Sequence, residues 1–216
     1  MKYLKHLFIC IILSYISPYN PQENTRASTK IEIIKRRIKA AKTDTTKIKL
    51  LQQWSDLVFI SNPEKDLDIQ QQVIDICVEH LKSEKIPYLQ KWFLEQESMA
   101  LDKTATSYYY EGEDQKALKF YTASSKILED LANDNLLSID NTYLLSTTCN
   151  KIARMYEGEG NFKNALNYYQ KSMRLESEVQ AQRAKQQNIQ HAVSYTHLRA
   201  HETGRNLVCR LLLEKK

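Results

Sequence analysis

Apolar residues recur at intervals of three and four along most of this chain, with polar residues between them. Val73, Cys77 and Leu81 show the pattern in one segment, and Leu50 and Trp54 show it in the segment before. This spacing places apolar side chains on one face of an α-helix. It predicts helices at about 30–42, 46–60, 63–82, 88–111, 114–132, 138–158 and 161–190, and no strand of any length.

A repeat runs through the centre of the chain, and its period is the offset from Gly112 to Gly160. Small side chains allow the two helices of a hairpin to approach closely, and glycine allows the positive φ of a tight reversal. Tyrosine fills the space between hairpins while its hydroxyl reaches solvent or backbone. The matched positions are Ala105, Tyr108, Gly112, Ala117 and Tyr121 in the first copy and Ala153, Tyr156, Gly160, Ala165 and Tyr169 in the second.

This pattern resembles the tetratricopeptide repeat. The first copy has Leu101, Thr104 and Ala105 where that family has a large residue followed by Leu-Gly, and the second has Cys149, Ile152 and Ala153. Both copies lack the closing proline, and their period is longer than that of the family. A third, degraded copy is expected over 50–76, where NPEKDL forms the turn and Asp66 replaces alanine. The resemblance implies an all-α, antiparallel helix-hairpin solenoid.

The resemblance also implies a groove that binds a protein or a peptide. The inner helix of each repeat lines the concave surface in this family. The corresponding residues are Asp102, Thr106 and Tyr109 in the first repeat and Asn150, Arg154 and Glu157 in the second. Arg154 and Tyr109 are the strongest candidates, because arginine and tyrosine are enriched at binding hot spots. We therefore expect a non-catalytic binding scaffold.

The remaining polar residues form no pattern typical of an enzyme or a metal protein. Cys77 and Cys149 are isolated, His80 stands alone, and the acidic pairs beside the turns have no nucleophile near them in the sequence. The basic run at 35–39 fits the solvated face of an amphipathic helix. We expect no cofactor, no metal ion and no catalytic activity.

The C-terminal segment 193–216 resembles translated sequencing-adapter DNA. VSYTHLRAHET at 193–203 matches the translation of a transposon-end adapter, and LVCRLLLE at 207–214 matches the flow-cell primer that follows it. We therefore expect 193–216 to be artefactual and the natural C-terminus to be missing. The pair His197 and His201, which has metal-ligand spacing, falls inside this tail. The tail also contributes +3 of the net charge of +5, so the folded part is near neutral and we expect no nucleic-acid partner.

The N-terminus has the form of a secretory signal. Lys2 and Lys5 precede an apolar run at 7–16, which is too short to cross a bilayer. We assign 1–23 to a signal peptide and leader and expect an exported, periplasmic protein. The arrangement resembles the exported repeat region of Bacteroidetes-type signalling proteins. The alternative hypothesis is therefore the sensory region of a membrane-bound histidine kinase, nucleotide cyclase or transcriptional regulator, with its output domain and membrane attachment missing here.

These interpretations divide the chain into four parts. The leader is followed by N-terminal helices with the degraded repeat at 24–97, by two repeats at 98–192 and by the adapter-like tail. Two good repeats and one degraded copy are close to the minimum for a stable array. We therefore expect residues 24–192, expressed alone, to be marginally stable or to self-associate through the exposed last helix.

Overall fold

The computed structural model describes the backbone of residues 21–213 and the side chains of residues 29–189. Over this backbone the fold is an all-α helical repeat without strands. Seven helices occur in these residues: α1 (Pro21–Ala40), α2 (Asp44–Val58), α3 (Pro63–Ser83), α4 (Pro87–Glu111), α5 (Asp114–Asn133), α6 (Ile139–Gly158) and α7 (Phe162–Leu213).

The structure confirms the helical prediction, with two differences in helix length. Helices α2 to α6 begin and end within two residues of their predicted bounds. Helix α1 begins at Pro21 rather than near residue 30, because its first residues are polar and carry no apolar stripe, whereas proline is favoured in the first helical turn. Helix α7 continues to Leu213 rather than ending near residue 190, because no proline interrupts it. Residues 1–20 of the predicted signal peptide and leader (1–23) lie outside the described residues.

The chain divides into two compact units between Ser83 and Glu84. The repeat pattern predicts the equivalent division at 97–98, where the pattern begins. That position lies inside α4, which runs without interruption from Pro87 to Glu111. The residues before the pattern therefore belong to the first helix of the first repeat.

The first unit contains α1, α2 and α3. Helix α1 packs on α2, and α2 pairs with α3. The Thr43 hydroxyl caps α2 by accepting the Thr46 amide at 3.3 Å, and the Asn62 side chain accepts the Lys65 amide at 3.0 Å at the start of α3. The core of the hairpin consists of fully buried apolar side chains, including Ile48, Leu51, Ile69, Val73 and Cys77.

The α2–α3 hairpin has the helix pairing of a repeat but a polar link at its centre. Gln70 Nε2 donates to Ser55 Oγ at 2.7 Å and to Asp66 Oδ1 at 3.2 Å. Ser55 and Gln70 are separated along the chain by the same interval as Thr106 and Tyr121 in the first strong repeat. The structure therefore shows a third helix hairpin, in which aspartate and glutamine stand where the strong repeats have alanine and tyrosine.

The second unit contains two hairpins, α4–α5 and α6–α7. Helix α5 packs against both α4 and α6, and α4 also contacts α6. The first helices of the two hairpins are thus neighbours, and α5 packs on both of them. This stacking places α4 and α6 side by side, where the candidate site lies.

The turns of the two hairpins have the same hydrogen bonds at equivalent positions. Gly112 and Gly160 have φ of 79° and 76°, which disfavours any residue with a Cβ. The amide after each glycine donates to the carbonyl of Tyr108 at 2.9 Å or of Tyr156 at 2.8 Å. These bonds close the helix ends in the manner of a Schellman motif. Each glycine is therefore required by its backbone conformation, as the sequence predicts.

The contacts between the helices of each hairpin also repeat. Ser124 Oγ donates to the Ser98 carbonyl at 2.8 Å, and Ser172 Oγ donates to the Ser146 carbonyl at 2.9 Å. The four predicted alanine positions are buried, and three of them, Ala105, Ala117 and Ala153, have no exposed surface. The small side chains allow the close helix approach that these bonds require.

An aromatic pair closes each hairpin beside its turn. Tyr108 stacks on Phe120 with 5.5 Å between ring centroids, and Tyr156 stacks on Tyr168 with 5.8 Å between them. Tyr156 is the repeat equivalent of Tyr108, and Tyr168 is the repeat equivalent of Phe120. The repeat is therefore a repeat of contacts as well as of residue types.

Candidate functional site

A partly buried ion pair joins the first helices of the two strong repeats. Lys151 Nζ on α6 donates to Asp102 Oδ2 on α4 at 2.7 Å, and Thr148 Oγ1 donates to Asp102 Oδ1 at 2.7 Å. The Asp102 side chain is 9% exposed, so both of its oxygens are held by α6 with little competition from water. This carboxylate therefore fixes α6 against α4.

The same lysine connects the ion pair to Tyr121 on α5. Lys151 Nζ lies 5.0 Å from the centroid of the Tyr121 ring and 3.3 Å from Thr106 Oγ1. Thr106 Oγ1 and the Tyr121 hydroxyl form a hydrogen bond of 2.9 Å. Burial raises the pKa of Tyr121 well above its ordinary value, so the phenol keeps its proton. The result is a fixed polar floor formed by three helices.

A small cavity opens above this floor. Its lining residues are Tyr109, Tyr121, Lys151 and Arg154, and its volume of about 30 Å³ is enough for a water molecule or the tip of one side chain. Tyr109 is 40% exposed and Arg154 is exposed. No hydrogen bond or ion pair within the described side chains engages the Arg154 guanidinium. The cavity thus presents a cation and an aromatic ring to an incoming group.

The structure places the six predicted groove residues in two different environments. Asp102 and Thr106 use their side chains in contacts within the protein, so Asp102 in particular is a buried structural carboxylate rather than an exposed groove residue. Glu157 accepts the Tyr169 hydroxyl at 2.7 Å. Tyr109, Asn150, Arg154 and Glu157 are exposed.

Lys151 is not among the residues predicted from the sequence, yet it contacts more of the site than any of them. A signal for it was present, because Lys103 and Lys151 occupy the same position in the two repeats. The family pattern does not include this position. The contact itself links residues that are far apart in the sequence, and only the packing of α6 on α4 brings them together.

A second depression lies in the first unit. It has a volume of about 450 Å³, is open to solvent and is lined by Asp44, Asp75, Ile76, Glu79, His80 and Ser83. His80 Nε2 lies 2.6 Å from Asp44 Oδ2. Among the described side chains, no group of three or more histidine, cysteine, aspartate or glutamate residues is arranged to hold a metal ion.

The two described cysteines are buried thiols. Cys77 and Cys149 form no disulfide, and burial raises the pKa of Cys149 to about 11. A thiol that is protonated at neutral pH is a poor nucleophile. Cys149 therefore acts as a small core side chain, packed with Leu128 and Leu145.

Between residues 21 and 213, none of the helices has both the length and the apolar character that crossing a bilayer requires.

Comparison with known proteins supports the fold. No protein-family model and no curated protein matches this chain. The crystal structure of BtubC (BKLC) from P. vanneervenii matches with a TM-score of 0.52 and 16% identity, covering 73% of this chain and 57% of that chain. The crystal structure of MamA matches with a TM-score of 0.34 and 16% identity, covering 75% of this chain and 98% of that chain. At this identity the likeness to BtubC shows the fold alone.

Proposed function

We propose that this protein is a non-catalytic scaffold that binds a protein or peptide segment across α4 and α6. The observation that carries the proposal is the cavity beside Tyr109 and Arg154, above a floor of internally bonded polar groups. Its small volume suits one side chain of an extended ligand rather than a whole metabolite, which needs a pocket of roughly 300 Å³ or more. The ligand is therefore bound along a surface, and the cavity holds one of its side chains.

The charges at the cavity determine which kind of ligand side chain it binds. Asp102 neutralises Lys151, so Arg154 is the cation that remains for a ligand. Arginine binds carboxylates through two parallel hydrogen bonds, and the exposed Tyr109 ring offers apolar contact beside it. The preferred segment carries an acidic residue next to an apolar one.

Selection from a phage-displayed library of short random peptides tests this proposal. Peptides enriched on the full chain are expected to share an acidic residue, and binding is expected to fall more than about tenfold in the variant Tyr109→Ala/Arg154→Ala. The matched control is Tyr88→Ala/Arg174→Ala, which removes the same residue types elsewhere on the surface. Tyr88 is 72% exposed, and Arg174 is also exposed. Enriched peptides that bind both double variants equally would contradict a site at this cavity.

We also propose that the scaffold acts outside the cytoplasm, on the basis of the signal-like pattern at 1–23. In this location the repeats meet exported or surface ligands. Protease added to intact cells with a permeabilised outer layer is expected to degrade the protein. Protection under these conditions, with degradation only after lysis, would contradict export.

A further inference from the structure

The second repeat exposes an apolar stripe that the first repeat buries. The α7 stripe consists of Leu166, Tyr169 and Met173, at helical spacings of three and four that place them on one face. Leu166 is 57% exposed and Met173 is 68% exposed. Two apolar side chains this exposed on one helix face indicate a surface for another molecule.

The corresponding α5 stripe is Leu118, Tyr121 and Ser125, at the equivalent positions of the first repeat. Tyr121 and Ser125 are each 2% exposed. Helix α6 covers this stripe, with Ile152 and Met155 in the same core cluster as Tyr121. The first repeat therefore shows that an amphipathic helix fits such a stripe, in the packing that α6 adopts on α5.

The charges around the α7 stripe differ from those around the α5 stripe. In the first repeat the covering helix places Lys151 over Tyr121, where it meets Asp102 and Thr106. In the second repeat the positions of Asp102 and Thr106 hold Asn150 and Arg154. A lysine at this point would face Arg154, and the nearby carboxylate of Glu157 already accepts a hydrogen bond from the Tyr169 hydroxyl.

A carboxylate at the same point has two suitable partners. It can pair with the Arg154 guanidinium and accept a hydrogen bond from the Asn150 amide. The other charged residue near this point is Glu157, which occupies in the second repeat the position that Tyr109 occupies in the first. On α6 the residue beside Tyr109 is Arg154, so a helix that copies α6 presents an arginine to Glu157.

We propose that the α7 stripe is the docking site for an amphipathic helix of a partner protein, which carries a carboxylate where α6 has Lys151. The apolar side chains supply affinity and the reversed charge supplies selectivity. The apolar part of this surface is distinct from the groove proposed above, because Leu166 and Met173 lie on α7 and do not line the cavity, and the two sites share only Arg154.

Neither α4 nor α1 of a second copy is suited to supply this helix. The α4 residues equivalent to Ile152 and Met155 are Thr104 and Ser107, and both are already buried. Helix α1 does expose an apolar residue, Ile33, but its neighbours at 35–37 are basic. A basic helix would repel Arg154, so α1 does not match the charges around the α7 stripe.

Two synthetic peptides test the proposal with the full chain as the receptor. Both reproduce residues 138–158, which include α6 and its N-cap, and both carry Cys149→Ala to prevent oxidation. One also carries Lys151→Glu. Binding is measured by fluorescence anisotropy, and sedimentation velocity reports self-association of the chain.

The Lys151→Glu peptide is expected to bind about three- to tenfold more tightly than the unmodified peptide, because one like-charge contact becomes an ion pair. The receptor variant Arg154→Glu is expected to reverse this preference. Leu166→Glu/Met173→Glu is expected to weaken both peptides more than about tenfold. Its urea midpoint should be unchanged since both side chains are exposed, and the charge-reversal result does not depend on this variant.

Three results would overturn the proposal. One is that neither peptide binds, and another is that both bind equally to the chain and to Arg154→Glu. The third is a dimer of the chain that Leu166→Glu/Met173→Glu abolishes, which would assign the stripe to a second copy. Failure here is distinguishable from failure of the groove proposal, because Leu166→Glu/Met173→Glu leaves all cavity residues unchanged, whereas the library peptides are tested with Tyr109→Ala/Arg154→Ala, in which Tyr109 lies outside the α7 stripe.

Discussion

The two strong repeats have the same residues at their structural positions, yet their second helices face different surroundings. Tyr121 on α5 is 2% exposed and bonded to Thr106, whereas its counterpart Tyr169 on α7 is partly exposed and bonded to Glu157. The turns, the aromatic pairs and the bond from Ser124 or Ser172 to the facing serine carbonyl are nevertheless equivalent in both. The internal geometry of a hairpin is therefore set by its own sequence, and the burial of its outer face is set by the next helix.

This difference shows how the repeat uses its variable positions. Where α6 covers α5, the stripe contains the small Ser125, and where the described residues place no helix over α7, the stripe contains Met173. A small buried side chain permits close helix packing, and a large exposed one provides area for binding. Matched substitutions in the two repeats separate these roles.

Truncating the tyrosines is expected to give the largest contrast. Tyr121→Ala removes a buried ring from the contact of three helices and should lower the free energy of unfolding by about 3–5 kcal/mol, in the range of other buried aromatic truncations. Tyr169→Ala removes a partly exposed ring and should give a far smaller loss. Urea unfolding followed by circular dichroism measures both, and equal losses would show that the two faces are buried alike.

Exchanging the stripe residues between the repeats is expected to give the next largest effect. Ser125→Met inserts a large side chain at a position that is 2% exposed and should cost about 1–3 kcal/mol through overpacking. Met173→Ser should change stability by about 0.5 kcal/mol or less because the side chain is 68% exposed. The same urea midpoints test this pair, and a costly Met173→Ser would place that residue in a core.

The charged floor of the site predicts a smaller contrast. Asp102→Asn keeps the shape of the side chain but weakens its bonds to Lys151 and Thr148, and should cost about 1–2 kcal/mol. The reciprocal change Asn150→Asp lies at the exposed equivalent position and should alter stability by about 0.5 kcal/mol or less. A neutral Asp102→Asn would mean that the ion pair does not hold α6 on α4.

The glycine turns are expected to show no contrast between the repeats. Gly112→Ala and Gly160→Ala should each cost about 1 kcal/mol, because both residues have positive φ and neither has an atom within 4 Å of an added Cβ. Gly158→Ala is the matched control, since Gly158 lies at the end of α6 without positive φ and alanine favours the helix. Thermal unfolding of the three variants checks this, and unequal costs at 112 and 160 would break the equivalence of the turns.

The repeat and its turns could be predicted from the sequence because their determinants are local. Gly112, Ala117 and Tyr121 lie close together in the chain. The positive φ of the glycine forms the turn, and the packing of Ala117 and Tyr121 holds the two helices of the hairpin together. The start of α1 could not be predicted in the same way, because its first residues lack an apolar face. Helix bounds follow from capping and periodicity where both are present.

The state of each site residue could not be predicted because it depends on the neighbouring helix. The family pattern assigns Asp102 and Asn150 the same role, but α6 supplies a lysine to the first, and the described residues include no equivalent helix beside the second. Arg154 and Tyr109 are exposed at the cavity, as a binding role requires. Periodicity identifies equivalent positions, and packing decides which of them remain accessible.

Hydroxyl-radical footprinting of the full chain with residue-level mass spectrometry tests the central claim most directly. The α7 stripe and the buried α5 stripe both contain tyrosine, so reactivity can be compared within one molecule. The account predicts strong labelling of Leu166, Tyr169 and Met173, weak labelling of Tyr121, and loss of the α7 signal when the Lys151→Glu peptide is added. Equal and weak labelling of Tyr121 and Tyr169 in the chain alone would contradict it.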